Sequence, residues 1–169
     1  MLAHQLQFVR SQGTGLQQNR IRHRNLSNIV SVAGCMFGGF ALDRTGNVWG
    51  WGAGTQECAS VTSRVPILVA SINAFAPISQ LQCGSFWGCI GLTRSGDVIV
   101  WGIFRDAADP MVGYTTPPIK LTLPAGRRGI YVGATSLFVY GLLDDGQIIV
   151  FKSRPETPTF LDTASVPIM

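Results

Sequence analysis

Between Ile29 and Phe151 the chain writes one hydrophobic pattern three times. Each copy starts with a short strand-like run, IVSVA from Ile29, ISQLQ from Ile78 and GIYV from Gly129. An alternating stretch follows, with Phe40 and Leu42, Ile90 and Leu92, or Tyr140 and Leu142 at every second position. It runs into a polar turn that ends in glycine: DRTG, TRSG and DDG. A third stretch, apolar and aromatic, comes next: Val48, Trp49 and Trp51; Val98, Val100 and Trp101; Ile148, Val150 and Phe151. Alternation with period two predicts half-buried strands. A glycine in the left-handed region closes the hairpin between them without steric penalty. After a variable loop each copy ends in proline followed by apolar residues, VPILVASI, PPIKLTL and TPTFLD. Proline fits an edge strand, where no ladder donor is needed. Each unit therefore supplies four strands.

The copies keep register. Gly46, Gly96 and Gly146 are 50 residues apart, as are Leu42, Leu92 and Leu142, and Trp51, Trp101 and Phe151. Gly34, Gly84 and Gly133 follow with one residue of slippage. A repeat of that length built from four strands is the signature of a propeller blade. The expected fold is all-β, a partial propeller of about three four-stranded antiparallel blades. Their approximate limits are 29–77, 78–128 and 129–162, within a domain 29–169 that follows an arm, 1–28. Closed propellers have four to eight blades. Three blades leave two sheet faces rich in Trp, Val and Ile uncovered, so self-association or docking into an assembly is expected.

The segments GFALDRTGNVWGWG, from Gly39, and GCIGLTRSGDVIVWG, from Gly88, resemble the RCC1 repeat of seven-bladed propellers. The resemblance covers about residues 29–162. It implies a propeller that binds proteins, and among its relatives guanine-nucleotide exchange on a Ran-like GTPase. Where RCC1 repeats commonly carry His, four residues before the central Leu, this chain has Gly38, Gly88 and Phe138. The family's Gly-Gln-Leu-Gly segment is missing, and the third copy reads Phe151-Lys152 in place of Trp-Gly. The resemblance is to a divergent member.

Composition narrows the function. Of 169 residues 46% are hydrophobic and 13% charged, with 20 glycines and nine prolines, which disfavours disorder and suits a turn-rich β fold. The net charge of +4 comes from Arg10, Arg20, Arg22 and Arg24, since residues 29–169 hold nine basic and nine acidic side chains. The domain is neutral, so nucleic acid is expected to contact the chain through the arm alone. The arm reads as flexible, and its Arg-rich, acid-poor composition loosely resembles an organelle transit peptide. No apolar run reaches membrane-spanning length. An intracellular setting, cytoplasmic or nuclear, is expected. The four cysteines form no CxxC pair and read as reduced, buried side chains. Cys83 and Cys89 flank a turn and could bridge in a secreted protein.

Candidate chemistry is thin. Gly50-Trp51-Gly52-Ala53-Gly54 is followed by Thr55, where a dinucleotide fingerprint needs the start of a helix and a third glycine. Both histidines, His4 and His23, lie in the arm, outside every repeat. Asp144 and Asp145 occupy a hairpin turn, and Asp106 and Asp109 a variable loop; solvated side chains explain both pairs. No catalytic residue, cofactor or metal is expected. The expected function is non-enzymatic protein–protein interaction, the alternative an exchange factor. Candidate contact residues are Trp87, the loop residues Phe104, Arg105, Met111 and Tyr114, and Arg20, Arg22 and Arg24 of the arm. Gly34, Gly46, Trp51, Gly84, Gly96, Trp101, Gly133, Gly146 and Phe151 are read as architectural anchors.

Overall fold

The computed structural model of the chain describes residues 26–35, 38–52, 63–75, 77–84, 88–105, 113–136, 138–151 and 159–161. They form three antiparallel four-stranded sheets, and in each the strand order follows the chain. The first holds β1 (Ile29–Cys35), β2 (Gly38–Asp43), β3 (Val48–Gly52) and β4 (Ser63–Leu68). A one-turn helix, α1 (Ala70–Asn73), leads to the second: β5 (Ile78–Cys83), β6 (Gly88–Thr93), β7 (Val98–Arg105) and β8 (Gly113–Lys120). The third holds β9 (Gly129–Ala134), β10 (Val139–Leu143), β11 (Ile148–Phe151) and β12 (Thr159–Leu161). The sheets stack in sequence, with β5 against β1 and β9 against β5 and β6. This is the expected arc of propeller blades, and the proline-bearing β4 and β8 are edge strands of their sheets.

The turns explain the strict register. Asp43 N–H donates to the Asn47 carbonyl and Gly46 N–H to the Asp43 carbonyl; Thr93 with Asp97 and Leu143 with Gln147 repeat the arrangement. The closing glycines Gly46, Gly96 and Gly146 have φ of +97°, +91° and +88°, a region that disfavours any side chain. The same turns join the blades. Ile78 N–H donates to the Gly46 carbonyl at 3.0 Å and Gly129 N–H to the Gly96 carbonyl at 2.8 Å. Arg94 reaches back 50 residues, its Nη2 donating to the Arg44 carbonyl at 2.7 Å. Gln80 of β5 binds β9 at two points, accepting from Val132 N–H and donating to the Ile130 carbonyl.

Apolar packing fills each joint. Phe40, Leu42 and Val48 of blade 1 close with Val69 and Ile72 on Ile78, Leu81, Cys89, Ile99 and Trp101. Ile90, Leu92, Val98, Val100 and Phe104 of blade 2 close on Val132, Val139, Leu143, Ile149 and Phe151 of blade 3. Phe40 and Trp101 meet edge to face, 5.8 Å between centroids and 85° between planes.

Three expectations change. The span from Trp101 to Pro117, read as a long loop, is largely strand: Phe104 pairs with Tyr114 and Arg105 with Gly113. Gly34, Gly84 and Gly133 do not share a position. Gly34 lies opposite Gly39 and Gly133 opposite Tyr140, whereas Gly84 N–H meets the Gly88 carbonyl beyond the last β5 pair. A close approach of the Thr135 carbonyl accounts for Gly84 and of the Tyr140 ring for Gly133, whereas a Cβ at Gly34 would meet open space. Finally, Cys83 and Cys89 are joined by a disulfide between directly opposed residues of β5 and β6.

Candidate interaction faces

Pairing register sorts each blade into two faces, because strand side chains alternate and directly opposed residues share a side. In blade 1 one face carries the row Val32, Ala41, Trp49 and Leu68 together with Trp51. Trp49 and Trp51 are two residues apart in one strand, so both indoles project from it. In blade 2 the equivalent positions are Leu81, Gly91, Ile99, Lys120 and Trp101. There Leu81, Ile99 and Trp101 are fully buried against blade 1. In blade 1 no sheet among the described residues covers the face: Val32 is 53% exposed, Leu68 48%, and both tryptophans are half-buried. The Trp51 ring lies over Gly39, where a Cβ would fall 2.8 Å from its Cζ2.

Blade 3 has the converse face open. Tyr131, Tyr140, Leu142, Ile148 and Val150 lie on its side away from blade 2, and Phe138 stands just before β10. The equivalent Ile90, Leu92, Val98 and Val100 of blade 2 are buried against blade 3. Tyr131 is 49% exposed and Phe138 38%, and the other four are half-buried.

Charge sits at the rims. The Asp43 carboxylate is enclosed at the blade 1 turn, where burial alone would raise its pKa. The Thr45 hydroxyl, the Trp49 indole N–H at 3.1 Å, and the Asn47 backbone and side-chain amides outweigh that and hold it at about 2. The Trp49 bond also fixes that indole across the open face. Lys120, 2.8 Å from Asp97, depresses the Asp97 pKa at the blade 2 turn. In blade 3 Arg127 pairs with Asp145 at 2.9 Å, and Arg128 stands 3.7 Å from Asp144.

The residues singled out from sequence divide. Trp87, Met111, Arg20, Arg22 and Arg24 lie outside the described residues. Arg105 ends β7 and Tyr114 lies in β8. Phe104 is 4% exposed, its ring over Gly88, so it serves the joint between blades 2 and 3 and is no surface anchor. Trp51, Trp101 and Phe151 hold one position, opposite Gly39, Cys89 and Val139. Sequence reasoning named Trp51 an anchor but not a contact residue. The signal was available: two tryptophans at i and i+2 share the blade 1 face that no sheet among the described residues covers.

Neither a family model nor a curated protein matches the chain. Solved structures do. Human WBSCR16 superimposes with a TM-score of 0.63 at 19% identity, over 84% of this chain and 42% of its own. Yeast RCC1 (Prp20), bound to Kap60, gives 0.63 at 20% identity over 86% and 40%. A further structure of Prp20p from Saccharomyces cerevisiae, described with its binding to Gsp1p and histones, gives 0.60 at 19% over 78% and 34%. The fold is thus an RCC1-like β-propeller arc, and the chain spans about two fifths of the length of the first two of these proteins.

Proposed function

We propose that the chain is a non-enzymatic protein–protein interaction module built on RCC1-like blades, working within an oligomer or larger assembly. One observation carries this reading. The blade 1 face bearing Val32, Trp49, Trp51 and Leu68 has the position and apolar character of the blade 2 face whose Leu81, Ile99 and Trp101 are buried against its predecessor. Exposed apolar patches of this kind mark contact surfaces. Half-buried aromatics are the residue type that dominates contact energy. The basic arm, with Arg20, Arg22 and Arg24, adds a second contact to a protein or, through phosphates, to nucleic acid. The setting proposed is cytoplasmic or nuclear. The test is the native mass of the protein in gentle extracts of its source: a mass above that of one chain is expected, reduced by Trp51→Ala. A native monomer overturns the reading.

A second reading rests on the fold neighbour described by its binding to Gsp1p and histones. In it the chain contributes to nucleotide exchange on a Ran-like GTPase. Nucleotide release from such a GTPase decides it: clear acceleration would replace the first reading.

A further inference from the structure

Two crossovers carry the chain from one blade to the next, and they differ. The first, residues 69–77, holds no charged residue and buries Ile72 of α1 in the joint between blades 1 and 2. The second, residues 121–128, follows Lys120 and ends in Arg127-Arg128. It is tied down at both ends. Leu121 N–H donates to the Val98 carbonyl at 2.9 Å, and the Arg128 carbonyl accepts from Asp144 N–H at 2.9 Å. In its middle Arg127 N–H closes a turn on the Pro124 carbonyl, with Gly126 at φ +75°. Between this crossover and the blade 2 turn lies an open bowl of about 480 Å³, within the usual size of a ligand pocket. Leu121, Leu123 and Pro124 line it with apolar surface, and the two leucines belong to the packing between blades 2 and 3. Asp97, Lys120 and Arg127 supply its charge. We propose that this bowl docks a short acidic segment of a partner protein, one carboxylate side chain reaching Lys120 and Arg127 while an apolar neighbour rests on Leu123 and Pro124. This deepens the interaction-module reading and rests on it.

The charges of the domain sum to zero, but here the two signs are not equally presented. In each ion pair around the crossover the base is the more exposed partner. Lys120 is 54% exposed against 36% for Asp97, Arg127 45% against 16% for Asp145, and Arg128 70% against 27% for Asp144. An approaching surface therefore meets cations first. Exposed ion pairs contribute little to stability, so either base can share its carboxylate with a second one at small cost. The Lys120 ammonium carries three N–H groups and the Arg127 guanidinium five, more than one carboxylate uses. A guanidinium also grips a carboxylate through two parallel bonds. Asp97 and Asp145 stand beside these cations and repel a run of phosphates more than they repel one carboxylate. Together with the apolar lining, this favours an acidic peptide over nucleic acid. The first crossover, which serves the same architectural purpose without any charge, shows that the fold does not require these residues.

The test selects binders of the full chain from a degenerate library of short peptides. Enrichment of Asp or Glu beside Leu, Ile or Val is expected, with binding that weakens as salt is added. Lys120→Ala and Arg127→Ala are each expected to bind the selected peptides at least about tenfold more weakly. Arg64→Ala, at the end of blade 1 away from its turn, is expected to bind them unchanged. Far-UV circular dichroism checks that the variants remain folded. Selection of no peptide, selection of peptides without acidic residues, or binding that both bowl variants leave intact overturns the proposal. A single-stranded oligonucleotide held more tightly than the selected peptides, and released by the same two variants, overturns it in favour of nucleic acid. Failure of the peptide test while native extracts still show a mass above that of one chain overturns the bowl and spares the module. Failure of both overturns both.

Discussion

Asp43 is a carboxylate that folding encloses and then satisfies with hydrogen bonds. Its pKa falls from an ordinary 3.8 to about 2. A depressed acid stabilises the fold above its unfolded value and loses that contribution as pH falls through the folded value. Between pH 5 and pH 2 the protein is expected to lose about 2 kcal/mol from this group. Thermal melts across that range should show it, and Asp43→Asn should flatten the profile. Gly46 tests backbone geometry. At φ +97° a Cβ would lie 2.6 Å from the Pro77 Cβ, so Gly46→Ala combines strain with collision at a blade joint. A loss of about 2 kcal/mol or more is expected by denaturant titration. Gly126, at φ +75° with nothing within 4 Å of the added carbon, should lose only about 1 kcal/mol. The turn glycines were legible because three copies repeat them in register. The enclosure of Asp43 was not, because its donor Trp49 comes from the neighbouring strand and other blades have Thr93 or Leu143 there.

Among elements, the hairpin of β5 and β6 carries the disulfide between Cys83 and Cys89, six residues apart. A cross-link restricts the unfolded chain even when the loop is short. Reduction, or Cys83→Ser with Cys89→Ser, is expected to remove about 2 kcal/mol. The measurement is a melt with and without reductant. Alkylation of freshly lysed cells then reports whether the bond exists in the proposed intracellular setting, since reducing compartments keep thiols free. Strand existence was readable from period-two alternation, but the extent of β7 and β8 was not. Gly113-Tyr-Thr-Thr-Pro-Pro shows no apolar alternation and two prolines, yet an edge strand needs neither a buried face throughout nor every donor. Spacing placed Cys83 and Cys89 beside a turn; only pairing register set them directly opposite.

At the scale of the whole molecule, one residue position has different duties in different blades. Trp101 is sealed in the first joint, and its Nε1 finds no partner among the described residues. Trp51 faces outward on the first blade. Trp101→Ala is expected to destabilise the fold by about 3–5 kcal/mol. Trp51→Ala should lower the stability of the separated chain by less and act chiefly on association. Chemical denaturation at concentrations above and below that of assembly separates the two effects.

By itself the sequence determined the repeat, the four-stranded unit and the hairpin turns. These follow from local alternation, turn chemistry and a 50-residue register, all carried by neighbours along the chain. Tertiary structure alone decided which face of each blade is open, that Phe104 is core, and that the Arg44 and Asp144 positions stand at opposite ends of one stack. Those depend on strand pairing and on which sheet lies against which, and two equivalent tryptophans cannot reveal it until their neighbours are in place.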